Sequence, residues 1–241
     1  MSLIIPAYNE QDVIGKTLDD VGNYLENQQY SSEIIVVDAG SSDETSEIIK
    51  EKTHVFRNIK SATVENTGGK GGAIKIGISK SQGENVAFID ADNAASFNQI
   101  DKLFEKMKED YDIVMGSRYI EGGSAGKRSL SRKIISRLGN LIFVIVLGLH
   151  YKDTRCPLKL FKGDVARKLF SLQILKGFGF DTEILALAKK FQFKVAEVPV
   201  TWQPIGETKG KSKVSPIKDS IKSVLEVFQI KWYIIRGKYN K

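Results

Sequence analysis

Two carboxylates one residue apart, Asp90-Ala91-Asp92, follow the apolar run Val86-Ala87-Phe88-Ile89. At the end of a strand such a pair can hold a hard divalent cation, since Mg²⁺ or Mn²⁺ takes carboxylate oxygens together with phosphate oxygens. A cation there would stabilise negative charge on a departing diphosphate. The same acids could instead cap the helix that follows. Asp38 closes another apolar run, Ile34-Ile35-Val36-Val37. There it can accept hydrogen bonds from a base or ribose, or serve as a helix cap. Gly68-Gly69-Lys70-Gly71-Gly72 lets backbone approach a phosphate, with Lys70 as counter-charge. It lacks the GxxxxGK[ST] spacing of a P-loop and reads equally as a flexible turn.

Cationic candidates dominate further along. Arg118, after Gly116-Ser117, suits an anion or a solvated loop. Arg128, Arg132, Lys133 and Arg137, with Ser136 among them, could bind a phosphate monoester or face water. Lys209, Lys211 and Lys213, beside Gly206 and Gly210, form a basic loop able to close over phosphates. Asp181 and Glu183 follow Gly177-Phe178-Gly179-Phe180. They offer a base or a lid anchor, or simply acids in the first turn of a helix. His54 and His150 read as structural or exposed, and the single Cys156 as a packing residue. One cysteine excludes an intrachain disulfide and a Cys-based zinc site.

These residues need elements to position them. The first half alternates short apolar runs with amphipathic ones. Strands are expected at Leu3–Ile5, Glu33–Asp38, Ala62–Val64, Asn85–Ile89 and Asp112–Met115. Helices are expected over Glu10–Leu25, from Ser42 or Asp43 through Ile49, up to Ser79, and over Gln99–Lys108. Such alternation implies right-handed crossovers and a parallel sheet, with ligands at the carboxyl ends of the strands. The chemically unusual residues fall at those ends. In the second half, helices are expected over Ser129–Leu149, Lys162–Leu172 and Asp181–Lys190, a strand over Lys194–Val200, and a last helix from Ser215-Pro216.

The chain has 241 residues, 41% hydrophobic and 27% charged, enough apolar material for a buried core. Its net charge of +7 is unevenly spread. Residues 1–115 hold 11 Lys+Arg and 20 Asp+Glu, a net of −9; residues 116–241 hold 25 and 9, a net of +16. An acidic part that needs a cation and a basic part that meets anions would explain the split; so would basic helices solvating a surface. No signal peptide is expected from the N-terminal residues. No run reaches the roughly 18–20 apolar residues of a membrane span. Leu141–Leu149 is a core or interfacial helix, and Trp232-Tyr233-Ile234-Ile235-Arg236 has interfacial composition. The basic half lacks a nucleic-acid-binding motif.

The ordered set Ile4–Glu10, Val36–Asp43, Asn66–Gly72, Asp90-Ala91-Asp92 and Gly116-Ser117-Arg118 resembles the family 2 inverting glycosyltransferases, with their GT-A fold. The segments Asp153–Phe161, Phe180-Asp181-Thr182-Glu183 and Val198–Trp202 extend the likeness to the dolichyl-phosphate sugar synthases. Ala94 stands where the mannosyl branch carries Gln, which leans toward the β-glucosyl branch; Gln203-Pro204 replaces an arginine of the mannosyl branch.

The resemblance implies an α/β, GT-A domain spanning 1–241, with 1–118 binding nucleotide and metal and 119–241 facing acceptor and membrane. It implies donor contacts at Pro6, Tyr8, Glu10, Asp38, Lys70, Asp90, Ala91, Asp92 and Lys213. It places Mg²⁺ or Mn²⁺ on Asp90 and Asp92, the acceptor phosphate on Arg118, Arg132 and Ser136, and catalytic roles on Asp90, Asp92, Arg118 and Asp181. The implied reaction moves glucose from UDP-glucose to a polyprenyl (dolichyl) phosphate, at the cytoplasmic side of a membrane, peripherally and without nucleic acid. Alternatives are GDP-mannose as donor, a soluble acceptor, or a nucleotide- or lipid-binding protein without catalysis.

Overall fold

The computed structural model describes residues 1–126, 142–203 and 216–240, with side chains from 222 onward in the last segment. Seven strands form one sheet in the order β3-β2-β1-β4-β6-β5-β7. They are β1 Ser2–Ala7, β2 Glu33–Asp38, β3 Ile59–Thr63, β4 Asn85–Phe88, β5 Ile113–Ser117, β6 Lys159–Lys162 and β7 Val195–Pro199. Strands β1 to β4 are mutually parallel, and β7 is parallel to β5. Strand β6 runs antiparallel to both of its neighbours, β4 and β5.

The helices are α1 Ile14–Glu26, α2 Thr45–Val55, α3 Lys70–Lys80, α4 Ile100–Met107, α5 Gly163–Leu172, α6 Phe180–Lys190 and α7 Pro216–Ile235. Alternation along the strands explains why both faces of the sheet are covered. Leu3 and Ile5 of β1, with Ile34 and Val36 of β2, pack against Ile14, Leu18 and Val21 of α1 and Ile100 and Leu103 of α4. Ile4, Ile35 and Val37 point to the other face, against Ile74 and Ile78 of α3, Phe170 of α5 and Phe180 of α6. A one-residue slip of either strand would expose these sets to water.

Several expectations shift. Helix α1 starts at Ile14 rather than Glu10, because the Glu10 carbonyl accepts the amides of Val13 and Ile14 in a turn. Strand β3 begins at Ile59, ahead of the expected Ala62. Strand β6 was not foreseen: Lys159–Lys162 is only four residues, and helix α5 begins directly after it. Of the expected Ser129–Leu149 helix, only its end is described. Residues 142–147 are helical, and Gly148 (φ 64°) closes them with its amide on the Val144 carbonyl. Phe143, Leu147 and Leu149 pack with Met115, Leu185, Val227 and Ile230, so one face of this stretch is core, while Ile145 on the other is 72% exposed.

Candidate active site

The carboxyl ends of β1, β2 and β4 converge on a cavity of about 590 Å³. That volume suits a ligand of nucleotide-sugar size. Each wall has a local cause. After β1, Asn9 adopts φ 52°, a left-handed conformation that Asn tolerates well. Its side-chain oxygen accepts the Ser42 amide at 2.8 Å, its own amide donates to Ser41 Oγ at 3.0 Å, and the Glu10 amide donates to Thr45 Oγ1 at 2.8 Å. The loop after β1 is thereby stitched to the loop after β2, and Pro6, Tyr8 and Glu10 line the cavity.

After β4, the Asn93 amide donates to the Asp90 carbonyl at 3.0 Å and the Ala94 amide to Asp92 Oδ1 at 3.1 Å. Asn93, at φ 47°, accepts the Phe97 amide on its side chain at 2.7 Å. Thr17 of α1 donates to the Ala91 carbonyl at 2.7 Å. This turn holds Asp90, Ala91 and Asp92 on the cavity wall. Ala94 is buried and offers no ligand there.

The glycine loop supplies the opposite wall. Gly69 sits at φ 126°, and a Cβ on Gly72 would fall 1.8 Å from the Thr67 carbonyl oxygen. Only glycine fits this approach. We expect Gly72→Ala to cost about 3 kcal/mol, seen as a lower urea midpoint, and to displace the Glu65–Gly69 wall. An unchanged midpoint would show that the loop yields freely. Lys70 opens α3 and lies on Asp90 as an ion pair, although Asp90 Oδ1 accepts no hydrogen bond of normal geometry. Burial works against the Lys70 charge, but the carboxylates of Asp90, Asp181 and Asp92 outweigh it and hold the ammonium above its usual range. Asp92 shifts the other way. Burial first, and then repulsion from Asp90, push its carboxyl above the ordinary value. One lysine therefore does not neutralise this corner.

Other expected site residues lie elsewhere. Asp38 is buried and does not line the cavity; Ser41 donates to its Oδ1 from the amide at 3.0 Å and the hydroxyl at 2.6 Å, and Ser46 donates to Oδ2. Its carboxylate organises the loop entering α2 rather than meeting the cavity. Arg118 is bound by Asp153 through Nε at 2.7 Å and a terminal nitrogen at 2.9 Å, and its amide bonds the same carboxylate at 3.0 Å. Burial disfavours the guanidinium charge, and Asp153 more than restores it. Asp181 pairs with buried Lys159 at 2.6 Å, behind Lys70 and away from the cavity wall. Glu183 is structural: it accepts the Ile174 and Leu175 amides at 2.9 Å each and the Tyr239 hydroxyl at 2.6 Å. Arg132, Ser136 and Lys213 lie outside the described residues.

Phe178 and Glu65 line the cavity without having been singled out. The only sequence signal for Phe178 was its place between two glycines. Cys156 is fully buried, and burial pushes its thiol up to about 11. At about pH 8 only about 10⁻³ of it is thiolate. We expect an aromatic disulfide reagent to label Cys156 only after denaturation; rapid labelling of the native chain would contradict its placement.

Residues 2–170 match the sequence profile of glycosyl transferase family 2. The chain belongs to that family. A dolichyl-phosphate beta-glucosyltransferase of Trichomonas vaginalis is 36% identical, over 99% of this chain and 73% of the relative. One from Dictyostelium discoideum is 35% identical over 98% and 75%, and the human one 33% over 87% and 69%. Among solved structures, mannosyl-3-phosphoglycerate synthase from Rubrobacter xylanophilus superposes with a TM-score of 0.67 at 19% identity, covering 100% of this chain and 75% of that one. Glucosyl-3-phosphoglycerate synthase from Mycobacterium tuberculosis, in complex with Mn²⁺, UDP-glucose and phosphoglyceric acid, gives 0.66 at 17%, covering 95% and 79%. The fold is GT-A. In this family 2 chain, the matched residues contain the whole cavity except Phe178.

Proposed function

We propose that this glycosyltransferase moves glucose from UDP-glucose to a dolichyl-type polyprenyl phosphate, with inversion at the anomeric carbon. The observation that carries the chemistry is the juxtaposition of Asp90, Asp92 and Lys70 at the strand-end cavity. The choice of sugar and acceptor follows the relatives, each a dolichyl-phosphate beta-glucosyltransferase.

The two carboxylates fit a divalent cation. Asp90 Oδ1 is buried with the Lys70 ammonium as its ion-pair partner, and burial, then repulsion from Asp90, pushes the Asp92 carboxyl above its ordinary value. Among the described residues no cluster of three or more His, Cys, Asp or Glu exists. Two carboxylates leave the rest of a cation's shell to phosphate oxygens and water. Asp90 and Asp92 would hold Mg²⁺ or Mn²⁺, which supplies Lewis-acid stabilisation of the leaving diphosphate.

Lys70 adds a cation on the same side, where leaving-group charge develops. Tyr8 and Phe178, both half-exposed, line the cavity together with Glu10. An acceptor phosphate oxygen bonds to the anomeric carbon as the bond to the diphosphate breaks, the electron pair leaving with UDP. Because a phosphate monoester is largely dianionic near neutral pH, no strong base is required. Asp181, salt-bridged to Lys159, is suited to backing Lys70 rather than to taking a proton. The acceptor's lipid places the chain's working position at a membrane surface; no helix among the described residues is long and apolar enough to cross one.

The test offers radiolabelled UDP-glucose and GDP-mannose in turn with dolichyl phosphate in detergent. Label should enter the lipid extract from UDP-glucose alone. Transfer from GDP-mannose alone would overturn the donor. Label passing only to a water-soluble phosphate would overturn the acceptor.

A further inference from the structure

Lys70 stands where a cation is electrostatically out of place. It is the first residue of α3, and the unpaired amides of a helix start already carry positive charge. No acid sits in that first turn, and Gly69 gives no side-chain cap. The start of α3 is also wedged: a Cβ on Gly71 would fall 2.6 Å from the Phe180 Cβ. What holds the ammonium there is the carboxylate corner. Lys70 is ion-paired with Asp90, and Asp181 and Asp92 add their attraction. The side chains of the pair are 19% and 34% exposed, so water and salt screen it less than a pair on the open surface.

Lys70 and a divalent cation seek the same oxygen. Asp90 Oδ1 is buried, and the Lys70 ammonium is its ion-pair partner. An ammonium on that oxygen supplies charge but occupies the place of a metal–oxygen bond. Two cations on one carboxylate oxygen would repel each other at contact distance. One of them has to give way.

We propose that Lys70 is a built-in competitor for the divalent cation: it neutralises Asp90 until the ion arrives, and the ion must displace it. This rests on the reading of Asp90 and Asp92 as the residues that hold the cation. The displaced ammonium keeps the attraction of Asp181 behind it and stays on the cavity wall. There it is free to meet the diphosphate. The chain alone therefore binds the ion weakly, and binds it firmly once an anion has taken over the ammonium. By linkage, ion and diphosphate strengthen each other's binding.

Mn²⁺ would be titrated into the full chain without nucleotide, the free ion being read by its electron paramagnetic resonance signal. Lys70→Met should bind Mn²⁺ about tenfold or more tightly than wild type. Its melting temperature should also rise more with Mn²⁺ than that of wild type. Lys176→Met is the control for charge alone. Lys176 is exposed and its stem lies against Gly68 on the same wall, so its loss should change Mn²⁺ affinity by about twofold or less. Lys70→Met binding no tighter than wild type, or no tighter than Lys176→Met, would overturn the displacement. Asp92→Asn separates the two readings. If it binds Mn²⁺ as wild type does, the cation site itself is misassigned. If it binds little while Lys70→Met gains nothing, the site stands and the displacement alone falls.

Discussion

Asp92→Asn should abolish nearly all transfer without harming the fold. The side chain would still accept the Ala94 amide through its oxygen, but one negative charge at the diphosphate corner would be gone. Lewis-acid stabilisation of a leaving group is worth several kcal/mol, so a fall on the order of 10³-fold is expected. Stability should move the opposite way. Burial and the Asp90 charge raise the Asp92 carboxyl above its unfolded value. At neutral pH its ionised form therefore costs the folded state free energy, and Asn removes that cost. Without divalent ions, the variant should melt at or above wild type. With Mn²⁺ present, wild type should gain stability and the variant should gain little. A variant that retains Mn²⁺-dependent transfer, or that gains stability from Mn²⁺ as wild type does, would refute the assignment of Asp92.

Lys159→Met should be among the most destabilising single changes in the chain. Lys159 and Asp181 are both buried and pair at 2.6 Å, and Lys159 also donates to the Cys156 carbonyl at 2.6 Å and faces the Phe88 ring. Removing the ammonium leaves Asp181 buried without its partner, a loss of about 3–5 kcal/mol. Replacing both partners by apolar residues of similar volume should restore most of it, since the desolvation cost of two ions disappears with their attraction. Urea unfolding of both singles and the double gives the coupling directly. If Lys159→Met and Asp181→Leu were additive, the pair would not act as a unit. The double variant should still transfer poorly, because the Lys70 ammonium loses the Asp181 carboxylate behind it.

Much of the site was legible because its residues follow apolar runs. Asp90 and Asp92 come directly after Val86–Ile89, and local pattern alone placed them at a strand end; Lys70, expected in the glycine loop, is instead the first residue of α3. What stayed hidden depends on partners distant in sequence. Arg118 reads as an exposed anion binder until Asp153, 35 residues on, takes up its fork. Asp38 ends a strand as expected, yet its oxygens go to Ser41 and Ser46, an arrangement its type and position do not distinguish from a ligand contact. Strand β6 was too short to show a period. Its one clue was Lys159 inside Leu158–Phe161, a charge in an apolar run that had to have a buried partner. Leu225, Phe228, Trp232 and Ile235 of α7 have the spacing of a core face, and only their exposure separates them from one.

The antiparallel strand β6 also governs the order in which the molecule can assemble. Strands β1 to β4 are contiguous in sequence and joined by short helical crossovers, so they can associate as soon as they leave the ribosome. Strand β5 is synthesised next but has no place at their edge. Its neighbours are β6, through Val114 opposite Leu160, and β7. It must wait as an unpaired hydrophobic segment until residues 159–162 emerge and dock Phe161 opposite Val86. At the rates of translation this delay lasts seconds, and an edge of β4 is open throughout. Strands β1 to β4 would thus form early and β5 to β7 join them later, an interval in which the nascent chain is exposed to aggregation.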